Sequence, residues 1–188
     1  MGAALKLANA LTRFVAAVGK AAAYLSLALL LVILADVILR RYFVIGSAKL
    51  QELEWHLHGL LFLLCLGYGY AAGAHVRIEV WREKWRKETR LWAELLGIVF
   101  FLLPFTLIAA KFSFDYAALS FVKSEVSASL TGLSYRWFIK SMVGAGLGLL
   151  FLAGLGQGLL AVLYLFGPKA LRAKLDLSVI AGEAHPKV

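Results

Sequence analysis

The chain has little charge, one cysteine and four histidines in 188 residues. Charged residues make up 16% of it, against 62% hydrophobic, a balance that a water-soluble monomer of this size does not sustain. The lone Cys65 excludes a disulfide framework and reads as a small apolar packing residue. The histidines are His56, His58, His75 and His185. None lies in the first, third or fourth of the long apolar runs, and bis-His haem ligation needs histidines on facing helices. Internal repeats and paired broken helices, usual in complete secondary transporters, are also missing. Without a ring of convergent polar groups, nothing indicates an enzyme or a channel, and no cofactor is expected.

What the chain does have is apolar length. Ala21–Leu39, Leu57–Ala74, Ala93–Ala110 and Met142–Leu165 are 18 to 24 residues each. At about 1.5 Å per residue, a helix of that length matches a hydrocarbon core of roughly 30 Å. Backbone polar groups in such a core need internal partners, so each run must be helical. The expected fold is all-α and integral to the membrane. It comprises four transmembrane helices (21–39, 57–74, 93–110, 142–165) within residues 21–168, with interfacial amphipathic helices beside them. Residues 1–20 form an N-terminal amphipathic segment, and 169–188 form a tail without a readable task.

The net charge of +9 reads as topology. Residues 1–20, the 75–92 connection and the tail together hold 13 Lys and Arg, against 7 on the other side, although Arg40 and Arg41 pull the other way. The positive-inside rule then places both termini in the cytoplasm. The first run exceeds a signal-peptide core and is followed by Arg40-Arg41, so it is expected to stay uncleaved.

The connections carry more information than the spans. In residues 1–20, Leu7, Leu11, Phe14 and Val18 form one stripe and Lys6, Arg13 and Lys20 another. This fits a helix lying on an anionic leaflet, or one that simply continues the first span. Trp81 and Trp85 beside Arg82, Arg86 and Arg90 fit a short interfacial helix touching lipid headgroups. A dozen residues pinned between spans offer no groove for nucleic acid, so that partner is set aside. Residues 111–140 interleave Phe112, Phe114, Tyr116, Phe121, Trp137 and Phe138 with serines. They are expected along the outer interface, as a helix followed by a turn at Thr131-Gly132. Pro104 is expected to kink the third span.

Few residues are candidates for chemistry. Asp36 is an intramembrane acid, a functional hypothesis by default, yet Arg40 at i+4 offers a local ion pair. Glu52/His56 and Glu54/His58 are two i, i+4 pairs where the second span begins. His56 and His58 point about 200° apart, so they do not share a metal ion, and hydrated side chains or a protein contact fit better. Gln157, deep in the fourth span, reads as packing glue, and Glu94 opens the third span. Gly69-xxx-Gly73, Gly144-xxx-Gly148 and Gly154-xxx-Gly158 mark close helix approaches, within the chain or to a larger membrane subunit.

Several segments resemble a known family. They are Asp36-Val-Ile-Leu-Arg-Arg41-Tyr-Phe43, Gln51-Glu-Leu-Glu-Trp55-His-Leu57, Phe62-Leu-Leu64 and Gly67-Tyr-Gly-Tyr70. His75-Val-Arg77-Ile-Glu79 follows, then Leu102-Leu-Pro-Phe105, Ser124-Glu-Val-Ser127 and Gly132-Leu-Ser-Tyr-Arg136-Trp-Phe-Ile-Lys140. In their order and spacing over most of residues 24–157, the chain resembles the small membrane subunit (DctQ type) of tripartite ATP-independent periplasmic (TRAP) transporters. It departs from the family at Ser134, where Pro is usual, and at Glu79, where Asp is usual.

The resemblance implies a bacterial inner-membrane accessory subunit. Its partners would be a large, roughly twelve-span subunit carrying the sodium and substrate sites, and an extracytoplasmic substrate-binding protein delivering an organic acid anion. Expected binding-protein contacts are Lys49, Glu52, Glu54, His58, Lys123, Glu125 and Arg136. The faces lined by Gly69, Gly73, Gly144, Gly148, Gly154 and Gly158 are expected to meet the large subunit or to pack internally. An autonomous transporter using Asp36 and, less favoured, a metal- or haem-binding four-helix protein are the alternatives.

Overall fold

A computed structural model describes residues 2–74 and 84–168, with Arg172 and Leu175 beyond them. His75, Arg77, Glu79, Trp81 and Arg82 lie outside the described residues, as does most of the 169–188 tail. All regular structure among the described residues is helical: α1 (Gly2–Ala23), α2 (Leu25–Tyr42), α3 (Ala48–Ala71), α4 (Lys87–Gly97), α5 (Leu103–Val122) and α6 (Arg136–Phe166). A single π turn, Ile98–Leu102, joins α4 to α5.

Three stretches are long and apolar enough to cross a membrane: Gly2–Tyr42, Lys87–Val122 and Arg136–Phe166. The 24-residue α3 is not among them. His56, His58, Tyr68 and Tyr70 dilute its Leu-rich centre. The helices also outrun the apolar runs that mark them. The 41 residues from Gly2 to Tyr42, two helices parted at Tyr24, have a summed helical length of about 60 Å, twice a hydrocarbon core.

Local chemistry sets the helix ends. Ser47 caps α3, its hydroxyl accepting from the Leu50 N–H at 3.4 Å. At the far end Gly73 takes φ 71° and the Ala74 N–H reaches the Gly69 carbonyl, a Schellman closure. Gly73 therefore ends α3 where the sequence pattern suggested a packing glycine. α5 closes the same way, with Ser124 at φ 47° and the Glu125 N–H on the Ser120 carbonyl. Two residues past the end of α2 stands Val44, a β-branched residue at φ 55°.

At Pro104 the third apolar run does not simply kink. Proline has no N–H to give the Phe100 carbonyl, and its ring crowds that oxygen. The helix widens just before it, with the Leu103 N–H bonding the Ile98 carbonyl in π register. Thr106, fully buried, donates its hydroxyl to the Leu102 carbonyl at 2.7 Å.

α6 is the centre of the bundle. α1, α3, α4 and α5 all pack on it, whereas α2 packs chiefly on α3. The α3–α6 contact is close because glycines face backbone. A Cβ on Gly67 would sit 2.7 Å from the Leu149 carbonyl oxygen, and one on Gly146 would sit 2.7 Å from that of Leu63. α1 packs through Ala8, Val15, Gly19 and Ala22. The larger Leu7 and Phe14 of the expected stripe stay more than half exposed. Small side chains win the interface because they let backbones approach.

Candidate functional site

The polar chemistry of the structure gathers where α3 begins, α5 ends and α6 begins. Glu52, in the second turn of α3, turns its carboxylate onto the 123–135 connection. It accepts from the Ser127 hydroxyl and from the Leu133 N–H at 2.6 Å. Those two donors hold its carboxyl below the usual carboxylate range. The sequence spacing suggested a Glu52/His56 side-chain pair. Instead His56 Nδ1 lies 2.5 Å from the Glu52 main-chain oxygen, and the carboxylate serves the loop.

The second anchor is Glu125. Its carboxylate pairs with Lys140 of α6, and the Lys140 ammonium sits 3.9 Å from the Tyr116 ring centroid on α5. Lys140 holds the Glu125 carboxyl below its ordinary range. The Arg136 N–H also reaches the Glu125 carbonyl, at 3.4 Å. A turn closes from Gly132 N–H to the Ser129 carbonyl, where the sequence suggested one. Trp137 stands edge-on to Phe121 at 5.4 Å and sews α6 to α5.

These anchors fix what the loop presents. Leu130 at its tip is fully exposed, and Val126 and Tyr135 are largely exposed. Among the expected contact residues, Lys49, His58 and Lys123 are exposed, while Glu54 and Arg136 are half-buried. His58 heads a groove of about 420 Å³ along α3, continued by Leu61, Phe62, Cys65 and Gly69.

Asp36 is ion-paired with Arg40 at 2.5 Å, as the i+4 spacing suggested. Asp36 is 5% exposed and is the one buried residue of α2. Its Oδ1 has no partner among the described residues. Buried Gln157 likewise leaves Oε1 without a partner there. Among the described residues, no three His, Cys, Asp or Glu gather as metal ligands would.

The glycine motifs are mostly used within the chain. Gly144 meets the Phe114 ring of α5, Gly154 meets Leu102, and Gly158 meets Ile98 of the π turn. Gly148 alone on α6 faces open space. Gly67 and Gly146, which make the closest backbone contacts, lie outside the motifs singled out from sequence.

The family model described as "Tripartite ATP-independent periplasmic transporters, DctQ component" matches residues 29–163. The chain belongs to the DctQ family. This DctQ chain is therefore a TRAP transporter component and, given its three apolar helices, a membrane protein. The match runs from α2 into the last turn of α6 and includes both loop anchors, but leaves out α1. No curated protein and no solved structure matches the chain.

Proposed function

We propose that this chain is the small accessory membrane subunit of a TRAP-type secondary transporter. It enlarges the static scaffold of a large transport subunit and helps dock an extracytoplasmic binding protein, for sodium-coupled import of an organic acid. The observation that carries this reading is the family match over residues 29–163. The exposed apolar faces support it. α2 exposes Leu27, Leu30, Leu31 and Leu34, and the π turn and α5 expose Phe101, Phe105 and Ile108. Such continuous faces suit lipid and a membrane partner.

In this reading α3 also crosses the membrane, as the second of four spans, both termini are cytoplasmic, and the loop held by Glu52 and Glu125 faces outward. The membrane is the bacterial inner membrane. Docking would then use the exposed Lys49, His58 and Lys123 around the Leu130 tip, with Glu52, Glu125 and Arg136 holding the tip in place.

The test is purification of the chain from its native membrane in mild detergent. A stoichiometric partner of about twelve spans is the expected result, and a chain that emerges alone overturns the reading. Asp36, buried with an unpartnered oxygen, favours a second reading, an autonomous transporter with Asp36 as coupling acid. Loss of uptake in Asp36→Asn with assembly intact would support that alternative.

A further inference from the structure

We infer that the outward face of α1 is a contact surface for the headgroup layer of an anionic lipid leaflet. Lys6, Arg13 and Lys20 make it, with Leu7 and Phe14 beside them. A triplet recurs along α1 every seven residues: Lys6-Leu7-Ala8, Arg13-Phe14-Val15 and Lys20-Ala21-Ala22. Seven residues fall short of two turns by about 20°, so like members of the triplets share a face. Neighbouring members sit about 100° apart. The structure gives each face a different environment. Ala8, Val15 and Ala22 are buried. Ala8 packs on Leu91 and Leu95 of α4 and Leu160 of α6, and Val15 packs on Ala71, Leu149 and Ala153. These contacts fix the rotation of the helix. Leu7 and Phe14 remain more than half exposed, and Lys6, Arg13 and Lys20, about 200° from the buried members, point away from the bundle.

The three cations have no anion from the protein. Residues 1–35 contain no Asp or Glu, and none of the three makes an ion pair among the described residues. Water alone would suit these cations but leave Leu7 and Phe14 uncovered. Hydrocarbon alone would cover Leu7 and Phe14 but strand the cations. The boundary between the two meets both needs, because Leu7 and Phe14 reach acyl chains while the Lys and Arg heads reach lipid phosphate. A negative leaflet surface attracts each Lys or Arg that lies near it. Crossing the membrane does not require α1, since the 18 residues of α2 already extend about 27 Å. In the topology proposed above, the leaflet is the inner one. Only the leaflet depends on that topology.

Hydrogen–deuterium exchange over α1 in the purified full chain tests the face, in nanodiscs of phosphatidylcholine with and without phosphatidylglycerol in both leaflets. Phosphatidylglycerol should slow exchange in α1 by about fivefold for each cation engaged, and added salt should remove most of that slowing. The triple variant Lys6→Gln, Arg13→Gln, Lys20→Gln should exchange alike in both discs, with α6 unchanged. Phe14→Ser should speed exchange equally in both discs, because acyl contact does not depend on headgroup charge. Equal exchange of wild-type α1 in the two discs overturns the proposal, as does a triple variant that keeps the slowing. Slowing by inorganic phosphate alone, in phosphatidylcholine discs, would mark a site for free anions and also overturn it. So would slowing that needs a bound membrane protein and ignores the lipid, which would give the face to a protein partner. If the triple variant fails to fold, the wild type still decides, since slowing that persists at high salt rules out the cations. Lipid in both leaflets makes the result independent of sidedness, and co-purification tests the transporter reading separately.

Discussion

Replacing Gly146 by alanine should loosen the bundle at its centre. The new Cβ would sit 2.7 Å from the Leu63 carbonyl oxygen and 3.0 Å from the Leu63 carbonyl carbon. Ordinary contact begins near 3.4 Å, so α3 must retreat by about 0.7 Å. The obstacle is backbone, which no rotamer change removes. Overpacking of this kind costs about 1–3 kcal/mol. Alanine also gains about 1 kcal/mol in helix propensity over glycine, which obscures a single measurement. Gly148 supplies the reference, since it lies two residues away on the same helix and faces open space. Gly148→Ala collects the same propensity gain without the clash. The difference between the two variants therefore isolates the packing term. Gly146→Ala should be less stable than Gly148→Ala by about 1–3 kcal/mol in equilibrium unfolding in mixed micelles. Gly67→Ala should behave like Gly146→Ala. The double variant should cost less than the sum, because one separation of α3 from α6 relieves both clashes. A difference between Gly146→Ala and Gly148→Ala below about 0.5 kcal/mol would refute the close backbone contact.

Glu52→Gln should free the loop by weakening the bonds from Ser127 and Leu133, seen as faster proteolysis at Leu130 with the helices intact; unchanged cleavage would remove Glu52 as an anchor. The carboxyls of both Glu52 and Glu125 are held below their ordinary 4.5, so their support is fully present above about pH 4.5 and is lost as pH falls through the lowered folded values. Cleavage at the loop should accelerate on acidification below that point, and the Glu52→Gln variant should show a smaller acceleration. Val44→Gly should stabilise the chain by about 0.5–1 kcal/mol, because a β-branched residue in the left-handed region is strained and Val44 is 87% exposed. A loss of stability would show that Val44 packs against something. Gly148→Leu should leave the isolated chain stable yet weaken co-purification of the large subunit, if that open face of α6 is where the partner sits.

The apolar runs made the helical, membrane-bound character legible, because burial in lipid needs only length and composition. The packing was less so. Pairs of glycines four apart pointed to α6, and Gly144, Gly154 and Gly158 do pack there, against Phe114, Leu102 and Ile98. Gly67 and Gly146 meet backbone of the facing helix, but no i, i+4 rule finds them, since they pair across two helices. The bundle-facing side of α1 was hidden for the same reason. Its large apolar residues formed the visible stripe, whereas Ala8, Val15, Gly19 and Ala22 form the interface. Hydrophobicity marks a packing face in water; in a membrane, smallness does. At Pro104 the sequence located the irregularity but not its form, because a kink and a π turn both answer the missing N–H.

The loop end shows the same limit in its charges. Spacing along α3 paired Glu52 with His56 and Glu54 with His58, but it could not see residues 75 and 81 positions away. The Glu52 carboxylate reaches Ser127 and Leu133, and Glu125 reaches Lys140. Once Glu52 and Glu125 are committed within the chain, the exposed expected contacts left to a partner are Lys49, His58 and Lys123, with Glu54 half-buried. Lys49 and Lys123 stand exposed near the uncovered Leu130 tip. A partner docking here would need acidic groups around an apolar contact, and its association should slow as salt rises. Lys49→Glu and Lys123→Glu should lower the association rate in proportion to the charge reversed. Glu52→Gln should instead lower it through loss of loop order, with the salt dependence unchanged. Equal salt slopes in all three variants would mean that the exposed lysines play no part in docking.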